Sequence, residues 1–186
     1  NNLGKAYRRL GRRQDAIRSC EKALVLKPNL VEAYYNLALL KRDTGQAERA
    51  LSSLQKALVI DPNYAPALLN LGALLHELNK TEEAITHYKA VLIRNPDFAE
   101  AHNNLGAALQ SLARFDKAIA SYRKAISLRP NYAEAFNNLG LALREIAMNT
   151  DGQNIPPAMP QPMDEAIANY QRPWTYALVM STHIIT

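Results

Sequence analysis

The sequence predicts an all-α fold, a right-handed solenoid of antiparallel helix pairs, and three observations carry that prediction. A short signature returns at fixed spacing: Asn2-Leu3-Gly4, Asn36-Leu37-Ala38, Asn70-Leu71-Gly72, Asn104-Leu105-Gly106 and Asn138-Leu139-Gly140, each asparagine 34 residues after the last. Prolines keep the same phase at Pro28, Pro62, Pro96 and Pro130, as do small residues at Ala16, Ala50, Ala84 and Ala118. A fixed period of this size marks stacked units, each too small to bury its own apolar surface. About five units are expected over residues 1–147, the first and last incomplete or irregular: 1–30, 31–64, 65–98, 99–132 and one from 133.

Each unit reads as two helices around a tight turn. Helix A is expected over roughly unit positions two to fourteen. Position fifteen follows with Gly11, Gly45, Asn79 or Ala113, where a left-handed helix end favours glycine or asparagine. Helix B is expected from about position eighteen and stops before the proline at position thirty-two, which cannot continue it. Gly or Ala at position eight (Gly4, Ala38, Gly72, Gly106, Gly140) lets helix B approach closely. Leu37, Leu71, Leu105, Leu54, Tyr88 and Tyr122 fill the space between.

These residues resemble the tetratricopeptide repeat (TPR) family. In the fourth unit the pattern falls on Leu105, Gly106, Leu109, Ala118, Tyr122, Ala125 and Pro130, and it returns briefly at Asp164–Tyr170. The fifth unit departs from it. A proline-rich insertion is expected over 148–163, helix B of that unit over 164–172, and an apolar tail over 173–186. The tail folds back over the last helix, meets another chain, or leads into further sequence; its residues leave all three open.

On a wheel at about 100° per residue, helix A separates into two sides. Positions three, four, seven, eight, ten, eleven and fourteen are apolar or small. Positions two, five, six, nine, twelve and thirteen fall together on the side that stacked helical pairs turn toward a ligand. That side carries Asn1, Asn2, Lys5, Arg8 and Arg9 in the first unit, and Glu32, Tyr35, Asn36, Leu39, Arg42 and Asp43 in the second. Pro66, Leu69, Asn70, Ala73, His76 and Glu77 follow, then Glu100, Asn103, Asn104, Ala107, Gln110 and Ser111. The fifth unit contributes Glu134, Asn137, Asn138, Leu141, Arg144 and Glu145.

Asn2, Asn36, Asn70, Asn104 and Asn138 form a ladder on this side. A carboxamide both donates and accepts, so each rung can pair with the backbone of an extended peptide whatever its side chains. Tyr35, Leu39 and Leu69 offer apolar contact beside it, and Lys5, Arg8, Arg9 and Arg42 would orient an acidic partner segment at the end facing residues 1–42. The expected function is a protein–protein interaction scaffold that binds an extended polypeptide. The doublets Asn103-Asn104 and Asn137-Asn138 resemble the repeat region of O-linked N-acetylglucosamine transferases, which implies that such a ladder holds substrate polypeptide. The alternatives are therefore the recognition arm of a larger glycosyltransferase-like enzyme, or a self-assembling scaffold using the groove or the tail.

Composition narrows the remaining classes. The chain has 186 residues, 48% of them hydrophobic, and a net charge of +5. Residues 1–30 hold eight Lys and Arg against two Asp and Glu, so the basic character is an end effect, and no nucleic-acid reading motif accompanies it. A single cysteine, Cys20, excludes an internal disulfide, fits a reducing compartment and a cytoplasmic location, and is expected in the core. No apolar run reaches a membrane span. Metal-ligand spacing, a phosphate loop and a nucleophile–base arrangement are all missing from the pattern, so neither cofactor nor catalysis is expected. The chain opens without methionine inside a unit, which reads as a fragment with upstream sequence left open.

Overall fold

The structure is a computed structural model that describes residues 12–149. Those residues form eight α-helices and no strand: α1 (Arg13–Leu26), α2 (Val31–Arg42), α3 (Ala47–Ile60), α4 (Ala65–Glu77), α5 (Thr81–Arg94), α6 (Ala99–Ser111), α7 (Phe115–Leu128) and α8 (Ala133–Asn149). The expected helix A is α2, α4, α6 and α8; the expected helix B is α1, α3, α5 and α7. Within residues 12–94, and again within 95–149, connections of three or four residues set consecutive helices antiparallel. Both kinds of helix begin one residue earlier than the repeat pattern suggests. Residues 1–11, the expected insertion beyond Asn149, the expected helix B over 164–172 and the tail over 173–186 lie outside the described residues. Met148 and Asn149 are still helical, so α8 runs two residues past the expected boundary.

The helix starts use little side-chain capping. Leu30, Tyr64, Phe98, Gln46, Arg12 and Arg114 precede α2, α4, α6, α3, α1 and α7 without a capping hydrogen bond. Charge favours every start but that of α4: Asp15, Glu32, Glu48, Glu82, Glu83, Glu100, Asp116 and Glu134 lie in first turns, next to the positive end of the helix dipole, whereas α4 opens with Pro66 in its first turn. The four B helices end at Leu26, Ile60, Arg94 and Leu128, each two residues short of its proline.

The turns within hairpins behave as the sequence anticipates. Gly45, Asn79 and Ala113 take φ of 72°, 60° and 55°. The next residue then reaches back: Gln46, Lys80 and Arg114 donate to the carbonyls of Lys41, Leu75 and Leu109 at 2.9, 2.8 and 2.9 Å. This is the six-to-one bond of a Schellman motif, which satisfies carbonyls the helix end would leave open.

The chain divides into two compact units, Asn1–Arg94 and Asn95–Thr186. In the first, Ala16, Cys20, Leu37 and Leu40 form a buried cluster, with Ile17 and Leu24 packed against it. Cys20 is thus a core residue, and burial pushes its thiol up. Further along, Ala50, Leu54, Ala57, Leu71, Leu74, Ala84, Tyr88 and Val91 are buried. In the second unit the buried set is Leu105, Ala108, Leu109, Ala118, Ile119, Tyr122, Ala125, Leu139, Ala142 and Leu143.

One close helix approach has the same form in both units. A Cβ placed on Gly72 would come within 2.6 Å of Tyr88 Cε1, and one on Gly106 within 2.5 Å of Tyr122 Cε1. The tyrosine ring of helix B lies directly on the glycine of helix A. The second repeat carries Ala38 and Leu54 at these positions, trading ring for methyl at similar total volume.

Candidate functional site

Within residues 12–94 the candidate side chains of adjacent A helices meet one another. Asn70 on α4 donates its Nδ2 to the Tyr35 hydroxyl on α2 at 3.3 Å and to the Pro66 carbonyl at 2.9 Å. Arg42 donates Nη1 to Asn70 Oδ1 at 3.4 Å. Tyr35 also packs edge-on to Tyr64, with ring centroids 5.6 Å apart and planes at 79°. Burial, with Glu32 nearby, pushes the Tyr64 hydroxyl up. Leu39, on the same helix as Tyr35 and Arg42, is half-buried.

The same arrangement recurs in residues 95–149. Asn138 on α8 donates Nδ2 to Asn103 Oδ1 on α6 at 3.0 Å, and Asn103 donates Nδ2 to Glu134 Oε1 at 3.0 Å. A longer contact of 3.5 Å runs from Asn103 Nδ2 to Asn104 Oδ1. In both units the ladder asparagine of one repeat binds the residue 35 positions earlier, at position five of the preceding repeat.

These contacts correct part of the sequence expectation. Asn36, Leu69 and Asn103 were expected on an open face, yet they are only 5%, 4% and 1% exposed. The wheel separates sides by angle; it does not show how closely the rest of the fold covers positions five and six. Tyr35, Leu39, Arg42, Asn70, Asn104 and Asn138 are half-buried, and Asn137 is exposed. Asn2, Lys5, Arg8 and Arg9 lie outside the described residues.

One cleft of about 420 Å³ opens in the 95–149 unit. Its walls are Ala107, Gln110 and Ser111 from α6, Phe115 and Tyr122 from α7, and Asn138, Leu141 and Glu145 from α8. Six of these eight occupy the wheel positions assigned to the ligand-facing side. Neither Phe115 nor Tyr122 is among the expected site residues: Tyr122 reads as core, and Phe115 precedes the expected start of helix B. Tyr122 donates its hydroxyl to Gln110 Oε1 at 2.8 Å, so Gln110 has its amide N–H groups left to offer a ligand. Burial holds the Tyr122 hydroxyl above its usual range, with Glu134 adding to the effect. It therefore stays a neutral donor. Leu141 is 37% exposed, a large apolar side chain at the cleft wall. Glu145, the one charged lining residue, lies 3.9 Å from the Arg144 guanidinium.

The cleft offers an apolar wall, amide donors and one carboxylate. Among the described residues, no three His, Cys, Asp or Glu side chains are grouped to hold a metal ion. No helix among them is long and apolar enough to cross a membrane.

Antiparallel helix pairs, Schellman turns and a glycine–tyrosine contact in each unit define an all-α helical-repeat protein of the solenoid class. Its repeats are tetratricopeptide repeats. Family models described as tetratricopeptide repeat match residues 99–132 and 41–109, and one described as TPR repeat matches 4–42, so together they run without a gap over 4–132. No curated protein sequence matches the chain. Among solved structures, MamA is 27% identical over 97% of this chain and 98% of its own, with a TM-score of 0.76. Pseudomonas aeruginosa PilF is 21% identical over 92% and 73%, with a TM-score of 0.78. YrrB, described as a TPR protein with an unusual peptide-binding site, is 20% identical over 97% and 89%, with a TM-score of 0.72. The last two share the fold alone.

Proposed function

We propose that this chain is a protein-interaction scaffold that holds an extended polypeptide segment against its A helices, with the cleft of residues 95–149 as the best-formed seat. The observation that carries this is the cleft's lining. Ala107, Gln110, Ser111, Asn138, Leu141 and Glu145 come from two successive A helices at ligand-facing positions, and they combine apolar surface with amide donors and acceptors. That mixture suits a peptide backbone with a small or aliphatic side chain against Leu141. The description of YrrB as peptide-binding supports the reading by analogy of fold.

The asparagine ladder takes a narrower role than a row of free amides. Asn70 spends its donors and its acceptor on Tyr35, Pro66 and Arg42, so it stiffens the face. Asn104 and Asn138 border the polypeptide path more directly. Arg42 gives one N–H to Asn70 and keeps its charge, so it would orient an acidic partner together with Lys5, Arg8 and Arg9. The Asn-Asn doublets keep a substrate-recognition arm of a glycosyltransferase-like enzyme as the second reading; the burial of Asn103 favours it less.

The test is a peptide array probed with the full chain, followed by fluorescence anisotropy on the peptides retained. Leu141→Glu and Ala107→Arg should each weaken those peptides about tenfold or more while circular dichroism stays unchanged. Retention that both variants leave intact would remove the cleft from the function.

A further inference from the structure

The most exposed apolar side chains of the described residues are not scattered. Val25, Val59 and Ile93 are 81%, 81% and 82% exposed, and each is the second-last residue of its helix, α1, α3 and α5. They are 34 residues apart, one per repeat. Leu26, 82% exposed, widens the row at the α1 end. The alternation of short connections makes α1, α3 and α5 run the same way, so all three helices bring this residue to the same edge of the 12–94 unit. Solvent-facing helix positions favour Lys, Glu, Gln or Ala, and β-branched residues are poorer helix formers. Local helix stability therefore gives no reason for Val, Val and Ile here. The equivalent residue of α7 is Ser127.

The surroundings of the row are basic. Lys22 and Lys27 flank it at α1, Lys56 at α3, and Lys89 and Arg94 at α5, all exposed, with the Lys56 ammonium 5.9 Å from the Tyr34 ring centroid; Glu21, Asp61 and Asp97 are the acids nearby in sequence. A second copy of the chain would bring two such basic edges together. A folded protein partner would need its own groove, since these tips project and enclose no hollow. A bilayer interface asks for neither: single aliphatic tips insert separately, while lysine stems lie along the surface with their ammonium groups at the headgroups.

We propose that this edge docks the protein on an anionic lipid surface, with Val25, Leu26, Val59 and Ile93 entering the headgroup boundary and the five basic residues pairing with lipid phosphates and carboxylates. The contact is interfacial, and it uses the B helices, leaving the A-helix side chains of the same unit for a polypeptide.

Vesicle co-sedimentation of the full chain tests this, using phosphatidylcholine alone and equal parts phosphatidylcholine and phosphatidylserine. Wild type should sediment with the mixed vesicles, scarcely with phosphatidylcholine, and less as salt rises. Val25→Ser with Val59→Ser and Ile93→Ser should lower the bound fraction about tenfold with unchanged helicity, since all three side chains are already in solvent. Lys22→Gln, Lys27→Gln and Lys89→Gln together should also lower it and flatten its salt dependence. Absence of wild-type binding to the mixed vesicles would overturn the assignment. So would full binding by the serine variant, which would put the lipid contact elsewhere in the chain. Loss of an acidic protein partner by the serine variant, with no vesicle binding by wild type, would overturn it in favour of a protein interface.

Discussion

Asn138 donates its side-chain amide to the side-chain carbonyl of Asn103, 35 residues earlier, at 3.0 Å. The acceptor is 1% exposed, and its own amide reaches Glu134 at 3.0 Å. A residue that reads as a peptide-binding rung is thus also a fastener between α6 and α8. Its removal has a structural cost that a free rung would not have.

Asn138→Ala should therefore destabilise the chain by about 1–2 kcal/mol, because Asn103 Oδ1 is left buried without its donor. For a chain of this length that corresponds to a melting temperature lowered by about 2–8 °C. Asn137→Ala, at the exposed neighbour, should leave it unchanged. A melt in which both variants match wild type would return Asn138 to a purely ligand-facing role.

The glycine–tyrosine contacts predict a paired rescue. Gly106→Ala pushes a methyl into the Tyr122 ring and should cost about 1–3 kcal/mol by overpacking. Combined with Tyr122→Leu, which reproduces the Ala38 and Leu54 combination of the second repeat, most of that loss should return. Chemical denaturation of the single and double variants measures the coupling. Strict additivity would mean that the two residues do not constrain each other.

Ala113 takes φ of 55°, a left-handed conformation that costs an ordinary L residue about 1–2 kcal/mol. Part of the relief from Ala113→Gly is lost to the freer unfolded chain. A net gain of about 0.5–1 kcal/mol is expected, seen as a rise of about 1–4 °C in melting temperature. Asn79→Gly should gain less, since asparagine tolerates this region. A fall in stability for Ala113→Gly would contradict the strain assigned to this turn.

Stability should plateau near neutral pH and fall on both sides. Burial raises the hydroxyls of Tyr64, Tyr88, Tyr122 and Tyr132 above the ordinary value of 10.0. The unfolded chain then ionises first, so their contribution is whole below about pH 10 and is lost as pH rises beyond it. Burial lowers His87 below 6.5, with Glu83 opposing. The unfolded chain binds that proton first, so its contribution is present above about pH 6.5 and is lost on acidification. Thermal melts across this range should show both shoulders, and His87→Gln should flatten the acidic one. An acidic shoulder unchanged in that variant would assign it to other groups.

The hairpins were legible in the sequence because each depends on contacts within one period. The recurrence of Asn-Leu-Gly, the proline phase and the left-handed position at Gly45, Asn79 and Ala113 all act within 34 residues. Their physical causes, a missing amide hydrogen, a missing Cβ and a helix end needing its carbonyls satisfied, are properties of the residues themselves. The same holds for Cys20, which takes a helix-B position otherwise filled by Leu54, Tyr88 and Tyr122.

What only the tertiary structure decided lies between hairpins. The wheel puts Asn36, Leu69 and Asn103 on the ligand side; the packed structure buries them. It puts Gln110 and Leu141 there too, but whether they enclose a cleft depends on how α6 and α8 lie over Phe115 and Tyr122. A hydrogen bond from Asn138 to Asn103 needs two carboxamides within about 3 Å across 35 residues, a condition set by packing. Periodicity fixes the direction in which a side chain leaves its helix. Whether it meets solvent, a ligand or another side chain depends on the gap to the next helix, which the packed cores set.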